Sequence, residues 1–185
     1  MKKYELQPTD LTTLGGKPLF QVVALREFGA VLKGDKGGYI ESEANLSHDG
    51  DCWVFDSAWV YGDARVSGDA RVSDSAQVSH DARVFGDARV FNNAWVDGDA
   101  WVYGDARVFG NAWVCGDAWV YGNAWVSNSA WVSGDACNHD NCPKCGEKLL
   151  TERNIKSEVL AVIHAYDETA ENKLSRIWKI LGQEA

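Results

Sequence analysis

The run CNHDNCPKCGEKL at residues 137–149 gathers the side chains best suited to hold a metal. Cys142 and Cys145 stand three residues apart, on a turn opened by Gly146. Two thiolates at that spacing can take two corners of the tetrahedron around one zinc ion. Cys137 and His139 are the neighbours able to supply the other two. The expectation is a structural zinc held by Cys137, His139, Cys142 and Cys145. The chain has five cysteines, an odd number, and three of them fall within nine residues. That distribution suits a metal site in a reducing compartment better than a disulfide framework. A linker this short has no core of its own, so an ion would supply its order.

Other chemistry is thin. The four histidines are His48, His80, His139 and His164, and no phosphate-binding loop or nucleophile motif accompanies them. His139 is assigned to zinc. His164 falls on a helical segment, His80 on a corner where glycine is usual, and His48 beside a short insertion.

The 185 residues carry a net charge of −9. Nearly all of it sits in residues 49–136, which hold thirteen Asp, no Glu and five Arg. Such a segment is not expected to bind nucleic acid directly, because that binding releases counterions through bases on the protein. No apolar run approaches the length of a membrane span, and the first residues, MKKYELQPTDLTTLGG, lack the apolar stretch of a secretory signal. A cytoplasmic protein is the expectation.

Positioning falls to the middle of the chain. A valine stands at every sixth place from Val54 to Val132, with an alanine four places after each, from Ala58 to Ala136. Ile40 with Ala44, and then Leu46, read as two earlier hexads; an insertion around His48–Gly50 follows, with Cys52 in a small-residue place. A six-residue period fits a short strand, a tight corner and another short strand. Gly-Asp, Gly-Asn, Asn-Asn and Asn-Ser pairs occupy the corners, where left-handed backbone is least costly. Val suits the strand and points inward, and Ala fits where only a small residue can. A longer period lies beneath. The corners Asp56-Ser57, Asp74-Ser75, Asn92-Asn93, Gly110-Asn111 and Asn128-Ser129 never carry Asp second, whereas the next corner does throughout, at Asp63, Asp81, Asp99, Asp117 and Asp135. That is an eighteen-residue coil of three hexads. About five coils, each rising about 4.8 Å, give a rod of about 25 Å.

The pattern resembles the hexapeptide-repeat family. The resemblance covers residues 40–136 and implies a mainly β protein, a left-handed parallel β-helix of about five triangular coils. Residues 1–39, with strand character in LFQVVALREFGAV, read as a small β cap over the first coil. Residues 137–149 are the zinc-knuckle-like linker, and Cys-Pro-Lys-Cys-Gly in it resembles the knuckle of zinc ribbons. Residues 150–185 read as an amphipathic helix with Thr151 as N-cap and Gly182 as stop. Its stripe includes Ile155, Val159, Val162, Tyr166, Leu174, Ile177 and Leu181. It can pack on copies of itself or fold back on the rod, and self-association into a homo-oligomer is the expectation.

Residues flanking each inward valine face out. One wall stacks Trp59/Tyr61, Gln77/Ser79, Trp95/Asp97, Trp113/Cys115 and Trp131/Ser133. A second stacks Arg65/Ser67, Arg83/Phe85, Trp101/Tyr103 and Trp119/Tyr121. A third stacks Trp53/Phe55, Arg71/Ser73, Arg89/Phe91, Arg107/Phe109 and Trp125/Ser127. So many outward rings suit either ladder stacking along the rod, with Arg laid over rings, or burial against a partner. The binding candidates are Trp59, Trp95, Trp101, Trp113, Trp119, Trp131, Arg71, Arg89 and Arg107. No polar constellation for a sugar is legible among them. The Asp63–Asp135 column serves corner geometry or forms a spaced acidic row that mimics a phosphate backbone, with Arg two places on to offset its repulsion on some coils.

Many hexapeptide-repeat proteins are acyltransferases with a catalytic His and an extruded loop; His48 or His80 without such a loop makes that the alternative reading. The GDARV and GNAWV hexads after LREFGAVLKGDKGGYIESEANLSHDGDCWV also resemble a group of phage and prophage proteins. That resemblance implies a non-enzymatic binder that blocks or sequesters a host factor, such as a defence component or a nucleic-acid-binding protein, with a virion or filament piece as a weaker alternative. The zinc expectation has a direct check. Elemental analysis of purified protein should find about one zinc per chain, and Cys142→Ser with Cys145→Ser should abolish it; a full equivalent in the double variant would refute the assignment.

Overall fold

The computed structural model describes residues 2–134. The residues expected to hold zinc, Cys137, His139, Cys142 and Cys145, the stripe from Ile155 to Leu181, and Asp135 lie outside the described residues.

The chain opens with β1 (Tyr4–Thr12) and β2 (Pro18–Ala24), an antiparallel hairpin, followed by β3 (Lys36–Ile40). β3 is the hinge of the architecture. One edge pairs with β2 antiparallel, and the other pairs in parallel with the hexad strand at Trp59–Val60. From there the chain winds as a parallel β-solenoid of about five turns. Its strands are the two or three residues ending at, or just past, each valine.

Three stacks form the walls. The longest continues β1-β2-β3 into β5 (Trp59–Val60), β8 (Gln77–Val78), β11 (Trp95–Val96), β14 (Trp113–Cys115) and β17 (Trp131–Ser133). A five-stranded wall holds β4 (Trp53–Val54), β7 (Arg71–Val72), β10 (Arg89–Val90), β13 (Arg107–Val108) and β16 (Trp125–Val126). The third holds β6 (Arg65–Val66), β9 (Arg83–Val84), β12 (Trp101–Val102) and β15 (Trp119–Val120), and Leu46 bridges to Val66 at its open edge. From Val54 onward the register steps by eighteen residues, as in Val60↔Val78 and Val96↔Val114, whereas Ile40↔Val60 and Leu46↔Val66 step by twenty across the insertion. The longer period in the corners is therefore the length of one coil.

Valines and alanines fill the interior. Val54 through Val120 and Ala58 through Ala118 are at most 1% exposed at every hexad. Each buried valine contributes roughly 1.5–3 kcal/mol of transfer free energy. Each coil's backbone is satisfied by the next, as in Trp59 N–H to Ala76 O at 2.9 Å and Tyr61 N–H to Val78 O at 3.0 Å. At the corners the chain turns in left-handed geometry, with Gly68 at φ +67° and Asp74 at +59°.

The first coil departs from the pattern in two places. Ala44, expected inward, is exposed. A short 3-10 turn, Glu43–Asn45, rotates Asn45 inside instead. Its amide donates to Gly62 O and Ala64 O, both at 2.9 Å, and so covers second-coil carbonyls that a regular strand would have met. Trp53, expected on an outer wall, is 1% exposed. It stands outside the coil, but N-terminal residues cover it: Phe28 meets its ring edge-on at 5.2 Å and Tyr4 at 6.1 Å.

A Cβ on Gly68 would lie 2.9 Å from Gly86 N, whereas one on Gly34 (φ +92°) would meet nothing within 4 Å. Gly34→Ala should therefore cost only the left-handed strain, roughly 1–2 kcal/mol, and Gly68→Ala roughly twice that, since it also forces two coils apart. Urea melts of the two variants give the comparison, and equal losses would show that the coils are not closely stacked there.

Candidate functional site

On the long wall the outward column reads Tyr39, Trp59, Gln77, Trp95, Trp113, Trp131. Strand spacing sets the indoles about 4.8 Å apart along the axis, within reach of stacking. Trp113 and Trp131 stack with centroids 5.4 Å apart, and Trp95 meets Trp113 edge-on at 5.8 Å. Trp95, Trp113 and Trp131 remain 40%, 39% and 58% exposed. Packing within the ladder thus leaves much of each ring facing solvent. The Trp131 indole N–H also donates to Cys115 Sγ at 3.1 Å.

The four-stranded wall carries two parallel ladders. Trp101 stacks on Trp119, and Phe85, Tyr103 and Tyr121 stack in sequence. On the five-stranded wall Phe91 stacks on Phe109, which meets Trp125 edge-on. Arg83 lies over Trp101 at 4.9 Å and Arg107 over Trp125 at 5.1 Å. Arg71 and Arg89 pair in register on that same wall.

The acidic corners differ from expectation in one respect. Among the described residues no ion pair joins an Arg of the repeat to a corner Asp. The guanidinium groups lie along the walls, and two of them rest on rings. Asp63, Asp81, Asp99 and Asp117 stand exposed at successive coils of one corner. The neighbouring corner repeats the arrangement with Asp51, Asp69, Asp87 and Asp105, a second row that the eighteen-residue register brings into line.

His48 and His80 belong to different settings. His48 is built into the N-terminal cover, stacked on Tyr4 at 4.3 Å and accepting from Lys3 N–H at 3.2 Å through Nδ1. Beside it lies a group that sequence reasoning missed. Lys3 is fully buried, its ammonium donating to Cys52 O at 2.9 Å, Gly50 O at 3.2 Å and Cys52 Sγ at 3.3 Å, with the Phe28 ring 5.0 Å away. Burial pushes the Cys52 thiol up, against the opposing pull of Lys3. Burial likewise drives the Tyr4 phenol far above its usual range, with Glu43 adding to the shift. These groups close the first coil.

His80 stands at a corner with φ +57°, where the same corner of the other coils carries Gly62, Gly98, Gly116 and Gly134. Its Nδ1 is hydrogen-bonded to Asp97 Oδ1, and Ser79 Oγ donates to the same oxygen at 2.8 Å. Burial acts to raise the Asp97 pKa, but hydrogen bonds from Ser79, His80 and the Gly98 backbone outweigh it and hold the carboxyl below its ordinary range. Asp97 is central here, with His80 and Ser79 both on it, so His80 does not bridge Ser79 to the acid as a nucleophile's base would. The eighteen-residue step places Ser79 beside Asp97 from sequence alone, whereas the His80 contact depends on side-chain direction. Among the described residues no group of three or more His, Cys, Asp and Glu side chains could hold a metal, and no helix is long and apolar enough to cross a membrane.

A depressed carboxyl pKa contributes stability above the unfolded value, about 3.9, and that contribution is lost as pH falls through the lower folded value. Asp97→Asn should therefore destabilise the protein at neutral pH, and the gap from the parent should close as pH falls below the ordinary carboxylate range. Denaturation midpoints across pH test this, and a gap that does not change with pH would refute it.

Comparison with known proteins agrees with the winding. A sequence model described as the YdcK beta solenoid repeat matches five stretches, residues 58–74, 64–80, 82–98, 100–116 and 118–134. An uncharacterized acetyltransferase, YdcK of Escherichia coli (strain K12), is 40% identical over 38 residues, which is 20% of this chain and 12% of that protein. The match thus takes in well under two thirds of the relative. Pattern, register and repeat match together identify the chain as a repeat protein of the β-solenoid class.

Proposed function

We propose that this protein is a non-enzymatic binder whose rigid walls dock a protein partner, and that it is of the phage or prophage type, acting in the host cytoplasm to block or sequester a host factor. The observation that carries the reading is the exposed indole column Trp95–Trp113–Trp131. Indoles held in register on a rigid sheet bring large contact area with little ordering cost, which is how interface hot spots work. The two Asp rows add a repulsive filter against acidic partners and favour a basic one, including a nucleic-acid-binding protein. Left-handed winding, a zinc staple at residues 137–149 and self-association through residues 150–185 belong to the same proposal.

One observation favours a second reading. The Asp97 carboxylate fixes the His80 ring through Nδ1, leaving Nε2 outward, where it could act as a general base in acyl transfer. The 38-residue likeness to a protein named an acetyltransferase points the same way.

Affinity capture from host lysate with parent protein and with Trp113→Ala/Trp131→Ala separates the two. The binding reading expects a discrete host protein, retained by the parent and lost from the double variant. Failure to lose it, together with acyl-CoA binding abolished by His80→Ala, would replace the binding reading with the enzymatic one.

A further inference from the structure

In a chain this repetitive, departures from the repeat are informative, and three of them, Gln77, His80 and Asp97, meet at one place on the long wall beside Ser79. Gln77 interrupts the aromatic column between Trp59 and Trp95. His80 takes a left-handed corner that its stack otherwise gives to glycine, a cost of about 1–2 kcal/mol. Asp97 stands where the wall otherwise carries Tyr61, Ser79, Cys115 and Ser133. Ser79 is 5% exposed and spends its hydroxyl on that carboxylate. Strain and a buried polar contact kept together are the marks of a site.

The groups are also oriented. Tyr61 O–H donates to Gln77 Oε1 at 3.3 Å, which turns the amide so that Nε2 presents its two protons. Ser79 and His80 both meet Asp97 at Oδ1, and the Gly98 backbone also bonds the carboxylate, whose remaining lone pairs can still accept from a ligand hydroxyl. His80 is 69% exposed and bonded through Nδ1, so Nε2 looks outward. Donor and acceptor atoms therefore alternate around a patch walled by Trp59 and Trp95.

We propose that this patch, formed by Trp59, Tyr61, Gln77, His80, Trp95 and Asp97, is a subsite for a neutral oligosaccharide. Hydroxyl groups each donate and accept, which matches the alternating rim. The C–H face of a pyranose rests on the negative face of an indole. Trp59 and Trp95 are two strands apart, about 9.6 Å, the scale of two linked pyranose rings lying along the rod. Asp97 and the Asp rows disfavour phosphorylated or carboxylated ligands. The subsite lies on an exposed wall and contacts one face of the sugar chain, so weak binding, on the order of millimolar, is expected. The subsite shares Trp95 with the protein-docking column, which otherwise uses Trp113 and Trp131, so Gln77 and His80 are the positions that tell the two apart.

The test is tryptophan fluorescence and indole N–H NMR titration of the full chain with cellohexaose, chitohexaose and maltohexaose. At least one should give saturable shifts at millimolar concentration. Gln77→Ala and Trp95→Ala should weaken it about tenfold or more, while Trp125→Ala, on another wall, should leave it unchanged. His80→Gly restores the corner residue of the repeat, relieving the left-handed strain while losing the Asp97 contact, so it should still fold yet bind the sugar less well. Absence of binding by all three sugars, or equal binding by parent, Gln77→Ala and His80→Gly, overturns the subsite and leaves the protein-docking reading untouched.

Discussion

The architecture depends on a narrow interior that admits one valine and one alanine from each hexad. These side chains are fully buried through the regular coils, and the coils stack only because their corners let one backbone pass directly over another. A Cβ at Gly68, Gly86 or Gly104 would overlap the next coil's backbone, 2.9–3.0 Å from its nitrogen. Backbone hydrogen bonding then runs along the axis, each coil satisfied by its neighbour. Closeness at the corners and smallness inside are the same requirement seen from two sides.

That requirement dictates the surface. With the interior closed to bulk, aromatic and charged side chains must face outward, and identical positions fall into columns at strand spacing. The result is a set of ladders: indole on indole, phenol on phenyl, guanidinium on ring. Stacking accounts for part of this composition. It does not account for the long wall, where the terminal indoles stay exposed despite their stacking. An exposed aromatic column on a rigid support is the physical basis for reading the wall as a binding surface.

The ends and interruptions of the repeat follow another logic. At the start, a hairpin, a buried lysine, a tyrosine hydroxyl on Leu46 O at 2.6 Å and an inward Asn45 satisfy the polar edge that a first coil exposes. Lys3 tolerates full burial because carbonyls, a thiol and a ring surround its ammonium. Within the repeat, His80 and Asp97 keep a strained corner and a shared oxygen where glycine and a small polar residue would have sufficed. The rod explains neither choice, and the polar rim they form beside Gln77 is where a ligand reading enters.

The amino-acid order by itself determined the coil. Valine at every sixth place, alanine four on, and glycine or asparagine at corners leave a chain no better way to bury its apolar atoms, and the distinct corners set three hexads per turn. The grouping of outward residues into three walls was legible for the same reason, since a strict period converts sequence distance into position. What the tertiary structure decided lies where the period breaks or where distant segments meet. Trp53 reads as an outer-wall residue, but the N-terminal segment that covers it is not periodic with it. Ala44 and Asn45 exchange roles because a short turn replaces a strand. Lys3 and Cys52, 49 positions apart, meet only once the hairpin closes the first coil. The convergence of Tyr61, Gln77, His80 and Asp97 needed side-chain directions as well as register, because hydrogen bonds between coils depend on which way each group turns.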